Sequence, residues 1–271
     1  MVTGIGVDAF LIDLDGVLYT GTTAVPGAQQ TLEFLEEHGY PFRFVTNSTR
    51  RSRESIAQRL RTLGFSIPAS MIFSPAVVAA GRLGKAGKRK VLLLSTGDVH
   101  RDFEAAGIST DSPDADAVVV ADAGENFTYD RLTYAFRTLL GGADLIALEE
   151  DRYWMGDDGL MLSAGPYVTA LEYASGRSAV LVGKPSPEFF LQALSDMGIS
   201  PERAAMVGDD LDSDIGGAKR CGMKGILVMT GKYREDRVKN ATIQPDYILS
   251  SIATLPDLLI RSSFPLPHQH L

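Results

Sequence analysis

The chain carries a single cysteine, Cys221, so no disulfide can form within it, and a reducing, cytoplasmic compartment is its simplest home. It has no apolar run near the roughly 18 to 20 residues that a membrane span needs. Ahead of Asp13 there is no basic segment followed by a long apolar one, so no signal peptide is expected. Positive charge is in deficit. A formal net charge of -8 argues against nucleic acid or an anionic membrane surface as the main partner, whereas a small phosphorylated ligand stays compatible with it, because local donors and a cation outweigh the global field. Histidine is scarce too: of four, His268 and His270 fall in a Pro-rich C-terminal stretch. A catalytic histidine or a histidine-based zinc site is therefore not expected, which leaves carboxylates to carry any metal chemistry. Internal repeats and low-complexity tracts are also missing.

What is present is an ordinary globular composition, 45% hydrophobic and 22% charged, in 271 residues, enough for two core-sized units. Its most informative stretch is Phe10-Leu11-Ile12-Asp13-Leu14-Asp15-Gly16-Val17. The apolar run from Val7 to Ile12 is short and continuous, as in a strand buried on both faces, and it ends in two acids and a glycine. Strand periodicity puts Asp13 and Asp15 on one side of the strand's C-terminal end. Two carboxylates so placed are metal-bound, proton-sharing, or sit at an exposed strand-to-turn junction.

From there the pattern alternates. A helix is expected from Ala28 to His38, a strand over Phe42–Val45 ending in Thr46-Asn47-Ser48-Thr49, a helix carrying Ile56, Leu60 and Leu63, a strand at 72–74 and a helix from Pro75. Strand, helix, strand of this length is a βαβ unit, which makes its strands parallel and sets their C-terminal ends side by side. After a Gly/Lys connector at 84–90 come strands at 91–94, 117–120 and 145–148, a helix at 129–140, a hairpin around Gly156-Asp157-Asp158-Gly159 and a helix at 166–174. We read 78–178 as a separate α/β domain inserted between a first core segment, 1–77, and a second, 179–271. In the second segment, strands at 179–182, 204–207, 225–229 and 247–249 alternate with helices at 187–197, about 212–221 and 252–260. The fold class expected is α/β: a doubly wound, parallel-sheet, Rossmann-like core with an inserted α/β cap domain.

Polar residues recur where these strands end: Asp13 and Asp15, Thr46 and Asn47, Lys184, and Asp209 and Asp210 with Asp214. Two familiar motifs are excluded. Asp210-x-Asp212-x-Asp214 has the acids of a calcium loop, but the glycine that loop requires is Ile215 here and its twelfth residue is Cys221. Gly183-Lys184-Pro185 lacks the other residues of a nucleotide phosphate loop.

Asp13-Leu14-Asp15-Gly16-Val17-Leu18-Tyr19, then Thr46-Asn47, then Gly183-Lys184-Pro185, then Gly208-Asp209-Asp210 with Asp214, resembles the four motifs of the haloacid dehalogenase superfamily of phosphohydrolases, in the same order and strand context. The large insert after the second motif resembles that of its 4-nitrophenylphosphatase, or NagD-like, branch. Segments 44–49, 165–174 and 225–234 narrow the likeness further within it. The resemblance implies Asp13 as the nucleophile that forms an aspartyl-phosphate, with Asp15 as general acid and then general base. It implies Mg²⁺ held by the Asp13 carboxylate, the Asp15 backbone carbonyl and Asp209, with Asp214 or Asp210 holding the metal's waters. Thr46, the Asn47 backbone and Lys184 would bind the phosphoryl oxygens. The implied activity is hydrolysis of small phosphorylated metabolites, or phosphoamide and pyrophosphate hydrolysis, with a homodimer formed through the cap. A non-catalytic phospho-accepting or scaffold protein is the rival. Against the phospho-acceptor, its acidic pair and acceptor lie on different strands, and it needs no hundred-residue insert.

Overall fold

A computed structural model of the chain describes residues 5–156 and 158–263. Asp157 of the expected hairpin turn, and His268 and His270, lie outside the described residues. The chain forms two compact units, one from described residues of 1–46, 59–72 and 190–271, the other from 47–58 and 73–189.

The first unit is organised on a six-stranded sheet in the order Tyr247–Leu249, Lys224–Val228, Ala204–Gly208, Ala9–Asp13, Phe42–Val45, Ile72–Phe73. Counted along the chain this is the 3-2-1-4-5-6 order of a doubly wound sheet. The pairings among its first five strands are all parallel. Every residue of Ala9–Asp13 is buried, as its unbroken apolar pattern predicts for a central strand. Strand order reverses between Ala9–Asp13 and Ala204–Gly208, so the carboxyl ends of those two strands flank the crevice where open α/β sheets bind ligands. Helix Ala28–Glu37 buries Leu32 and Leu35 as expected. A small antiparallel hairpin, Tyr19–Thr20 with Thr23–Ala24, follows the acidic turn and lies outside the sequence-based expectation. Arg59 fastens it: the guanidinium lies 5.1 Å from the Tyr19 ring centroid, and Nη2 donates to the Gly21 carbonyl at 2.8 Å.

The second unit has its own five-stranded parallel sheet, ordered Val180–Leu181, Asp144–Ala147, Ala117–Val120, Lys90–Leu94, Ser109–Thr110. Along the chain this is the other common doubly wound order, 2-1-3-4-5, and it reverses between Lys90–Leu94 and Ala117–Val120. Its core packs Leu94, Val118 and Val120 against Leu139 and Leu171. Thr128 starts helix Tyr129–Leu140 where expected, its side chain accepting from the Arg131 N–H. The antiparallel hairpin Tyr153–Gly156 with Gly159–Leu162 is also as expected. One assignment differs. The strand expected to return the chain to the first sheet at 179–182 is Val180–Leu181, and it pairs with Ile146–Ala147 of the second. A two-residue apolar strand has no pattern that favours either sheet, and it joins the strand that precedes it in the second sheet, the hairpin of Tyr153–Gly156 and Gly159–Leu162 lying between the two in the chain. Among the described residues no helix is long and apolar enough to cross a membrane.

Candidate active site

At the switch point of the first unit the sheet gathers three acids. Asp13 is the last residue of Ala9–Asp13, and Asp209 directly follows Ala204–Gly208 on the neighbouring strand. Asp214 arrives on a wide helical turn, Leu211–Gly216, in which Ile215 N–H reaches back five residues to the Asp210 carbonyl at 3.2 Å. Such widened turns are frequent at functional sites. This turn replaces the first half of the regular helix expected at 212–221, and a short α-helix, Gly217–Arg220, completes it. All three acids are buried, and one carboxylate oxygen from each lies within 4.8 Å of the others.

Glycine makes the approach possible. A Cβ on Gly208 would stand 2.4 Å from the Asp214 carboxylate, so a side chain there would expel that acid from the cluster. A Cβ on Gly16 or on Gly231 would stand 2.0 Å from Asp209 Oδ2, and both glycines have left-handed backbones, φ +86° and +60°. Two main-chain turns thus close directly on Asp209. They are tied to each other by Thr230 Oγ1, which donates to the Gly16 carbonyl. Lys232 N–H donates to Asp209 Oδ2 at 2.7 Å.

Three carboxylates this close repel by about 3 to 4 kcal/mol per pair at the effective dielectric typical of such sites. Backbone donors reach two of the three, Lys232 N–H to Asp209 at 2.7 Å and Asp210 N–H to Asp214 at 3.2 Å, and a bound cation would offset the repulsion among all three. The donors are all hard oxygens, which suit Mg²⁺ or Ca²⁺ rather than a soft metal. The two aspartates left as alternatives beside Asp209 now separate. Asp214 joins the cluster. Asp210 is engaged elsewhere: Oδ1 accepts from Asp212 N–H and Ser213 N–H at 3.0 Å each, and Oδ2 accepts from Lys232 Nζ at 3.3 Å. Burial opposes ionisation of Asp210, yet the Ser213 N–H and the Lys232 ammonium together hold its carboxyl below the usual range. Burial works against the Lys232 ammonium as well, and Asp210, with Asp209 and Asp214, raises its pKa nonetheless.

Asp15 does not project beside Asp13 from a shared strand. The strand stops at Asp13, Gly16 turns the chain, and Asp15 is exposed and outside the three-acid cluster. Its main chain is held in place, with a bridge from Asp15 to Tyr19 and Gly16 N–H donating to the Tyr19 carbonyl at 2.7 Å. The pair therefore comprises one buried and one solvent-facing carboxylate. Thr46, at the end of Phe42–Val45, is buried.

In the second unit, Asn47 and Lys184 are brought together. Asn47 Nδ2 donates to the Lys184 carbonyl at 2.9 Å, and Lys184 N–H donates to Asn47 Oδ1 at 2.8 Å. Lys184 is buried, and Gly183 before it has no room for a side chain, since a Cβ would stand 2.2 Å from the Leu148 carbonyl. Sequence reasoning placed the Asn47 backbone in the site and missed this role of its side chain. It also missed Thr230 and Lys232, whose only signal was the 225–234 segment.

Comparison with known proteins follows the same lines. The family profile described as haloacid dehalogenase-like hydrolase matches residues 10–109, and one described as HAD-hydrolase-like matches residues 181–255. Haloacid dehalogenase-like hydrolase domain-containing protein 2 of Homo sapiens is 47% identical over 226 residues, 83% of this chain and 85% of that protein. Phospholysine phosphohistidine inorganic pyrophosphate phosphatase of Homo sapiens is 40% identical over 262 residues, 94% of this chain and 95% of that protein. Among solved structures, NagD from E. coli K-12 superposes with a TM-score of 0.83 at 28% identity, covering 91% of this chain and 97% of that one.

Proposed function

The chain belongs to the haloacid dehalogenase-like hydrolases, in their phosphatase family, and from that premise we propose a magnesium-dependent enzyme that hydrolyses small phosphorylated metabolites through an aspartyl-phosphate. The observation that carries the reading is the convergence of the Asp13, Asp209 and Asp214 oxygens within 4.8 Å at a sheet switch point. Magnesium, when bound by Asp13, Asp209 and the Asp15 carbonyl with Asp214 in support, supplies charge neutralisation for the nucleophile and the phosphoryl group.

The residues divide the work. Asp13 forms the bond to phosphorus as the bond to the leaving oxygen breaks. Asp15, on the solvent side, gives that oxygen a proton and then takes one from the water that cleaves the aspartyl-phosphate. Thr46, the Asn47 main chain and Lys184 contact the equatorial oxygens, an assignment resting on the order of the motifs. Lys232 N–H and the turns at Gly16 and Gly231 hold Asp209 still. Segment 78–178, with strand Val180–Leu181, serves as the cap domain, the enzyme is a homodimer through it, and its compartment is the cytoplasm.

The test is turnover of a phosphometabolite panel with magnesium, with Asp13→Asn as the blank. Activity that survives in the blank defeats the proposal. Inorganic pyrophosphate and phospholysine belong on the panel, because the likeness to the phospholysine phosphohistidine enzyme spans nearly the whole chain and supports phosphoamide and pyrophosphate hydrolysis as a second reading.

A further inference from the structure

Beside the three-acid cluster, and wholly within the first unit, lies a cavity of about 330 Å³ to which the phosphoryl chemistry assigns no ligand. It forms between two loops at neighbouring strand ends: residues 209–211 follow Ala204–Gly208, and residues 232–238 follow Lys224–Val228. Asp209 lines it and also belongs to the cluster, so the two share a wall, and Lys232 N–H, donating to Asp209 Oδ2 at 2.7 Å, fastens that wall. The floor is apolar. Leu211, Leu227 and Val238 pack together with Tyr233 against them. The volume suits a small group.

Charge decides what kind of group. In a chain of formal net charge -8, three cations, Lys232, Arg234 and Arg237, line this cavity against two acids, Asp209 and Asp210. Two of the cations are paired, but loosely. Lys232 Nζ donates to Asp210 Oδ2 at 3.3 Å and Arg237 Nη2 donates to Asp212, from side chains 73% and 60% exposed, where an ion pair contributes little and is readily exchanged. Arg234 differs. Among the described residues no carboxylate lies within ion-pair range of it, and its one bond, from Nη1 to the Tyr233 carbonyl at 2.8 Å, leaves most of its donors unspent.

A metal cation is repelled from such a lining, and a neutral ligand leaves the guanidinium unmet. The planar fork of arginine matches two oxygens of a carboxylate or phosphate, and an apolar floor that excludes water strengthens the contact.

We propose that this cavity binds an oxyanion, a carboxylate or phosphate group, through the Arg234 guanidinium with Lys232 in support. Two sources offer that chemistry: a free anion, or the second anionic group of a phosphorylated substrate. The second source rests on the phosphatase reading; the binding itself does not.

Selenate is a tetrahedral divalent oxyanion, and its anomalous scattering reports its position. Crystals of the full chain with magnesium, soaked in selenate, are expected to show an anomalous peak at the Arg234 guanidinium, absent in Arg234→Gln and retained in Arg234→Lys. Titration calorimetry with sulfate in solution is expected to show binding weakened about ten-fold or more in Arg234→Gln, the size of a lost charge-assisted hydrogen bond. A peak confined to the acid cluster, or sulfate binding that Arg234→Gln leaves unchanged, overturns the proposal. The source is read from the ratio of kcat/KM for 3-phosphoglycerate over glycerol 3-phosphate, which differ by one carboxylate. A fall of about ten-fold in Arg234→Gln, carried by KM, assigns the cavity to the substrate's second group, and an unchanged ratio beside an Arg234-dependent selenate peak assigns it to a free anion. That peak in a protein that turns over no phosphate ester keeps the anion site and removes the phosphatase reading.

Discussion

Asn47 and Lys184, separated by 137 positions in the chain, hold each other through two reciprocal hydrogen bonds between one side-chain amide and one main chain. An amide is the side chain that can donate and accept at once here, and the bonds fix the backbone on either side of the lysine Cα. Asn47→Asp keeps the acceptor and loses the donor, leaving the Lys184 carbonyl without that bond, at about 1 to 3 kcal/mol. We expect kcat/KM to fall at least ten-fold and the melting temperature by a few degrees, measured by steady-state kinetics and a thermal melt. An unchanged kcat/KM would show that Lys184 needs no such support.

The turns around Asp209 make a sharper prediction. Gly231→Ala brings a Cβ within 2.0 Å of Asp209 Oδ2 and in addition strains a left-handed backbone. The same Cβ would stand 2.7 Å from the Gly16 Cα, so both the Asp209 carboxylate and the Gly16 turn beside it must shift, and divalent-cation affinity falls. Titration calorimetry with Mg²⁺ is expected to show binding weakened by more than ten-fold while the far-ultraviolet spectrum keeps its α/β shape. Tight binding in the variant would mean that Asp209 does not need the close main-chain approach.

Asp13→Asn should separate stability from activity. Removing one charge from three buried, crowded carboxylates relieves repulsion, as destabilised functional sites commonly allow. In metal-free buffer the variant is expected to melt higher than the parent, by several degrees, while its turnover is lost. Adding Mg²⁺ should raise the parent's melting temperature more than the variant's, since a ligand stabilises only the state that binds it. A variant that melts lower in chelator would indicate that the cluster is not repulsive when empty of cation.

Much of this architecture was legible in the sequence, for local reasons. Ala9–Asp13 up to its final acid, Ala117–Val120 and Ala204–Gly208 are short continuous apolar runs bounded by turn residues, as buried strands are, Phe42–Val45 is apolar apart from Arg43, and Thr128 announces the helix it caps. Asp13 and Asp209 could be paired because parallel strands put their carboxyl ends together. What escaped depends on contacts far along the chain. The Tyr19–Ala24 hairpin is two residues per strand and rests on Arg59; the sheet joined by Val180–Leu181 is set by its neighbour; the wide turn that carries Asp214 inward relies on the bareness of Gly208. Strand periodicity also misled at one point, since it was extended two residues past the true strand end to Asp15.

A final prediction concerns pH. In the second unit, Asp102 is buried and caps the start of helix Arg53–Thr62, accepting from Arg53 N–H through both oxygens at 3.1 and 3.2 Å. Burial outweighs the Arg53 N–H and guanidinium, and Asp98 nearby adds repulsion, so the carboxyl is pushed up to about 6. An acid whose folded pKa exceeds its unfolded value stabilises the fold fully only below the unfolded value, and that contribution is lost as pH rises through the folded one. The loss therefore runs from about pH 4 to just above 6 and amounts to roughly 3 kcal/mol. Asp102→Asn, uncharged throughout, should flatten this component of the stability profile: chemical denaturation at pH 4.5 and pH 7, estimated to differ by about 2 kcal/mol from this residue in the parent, should differ by correspondingly less in the variant. Parallel profiles for the two proteins would mean that Asp102 titrates as an ordinary surface carboxylate, and that its hydrogen bonds to Arg53 compensate fully for its burial.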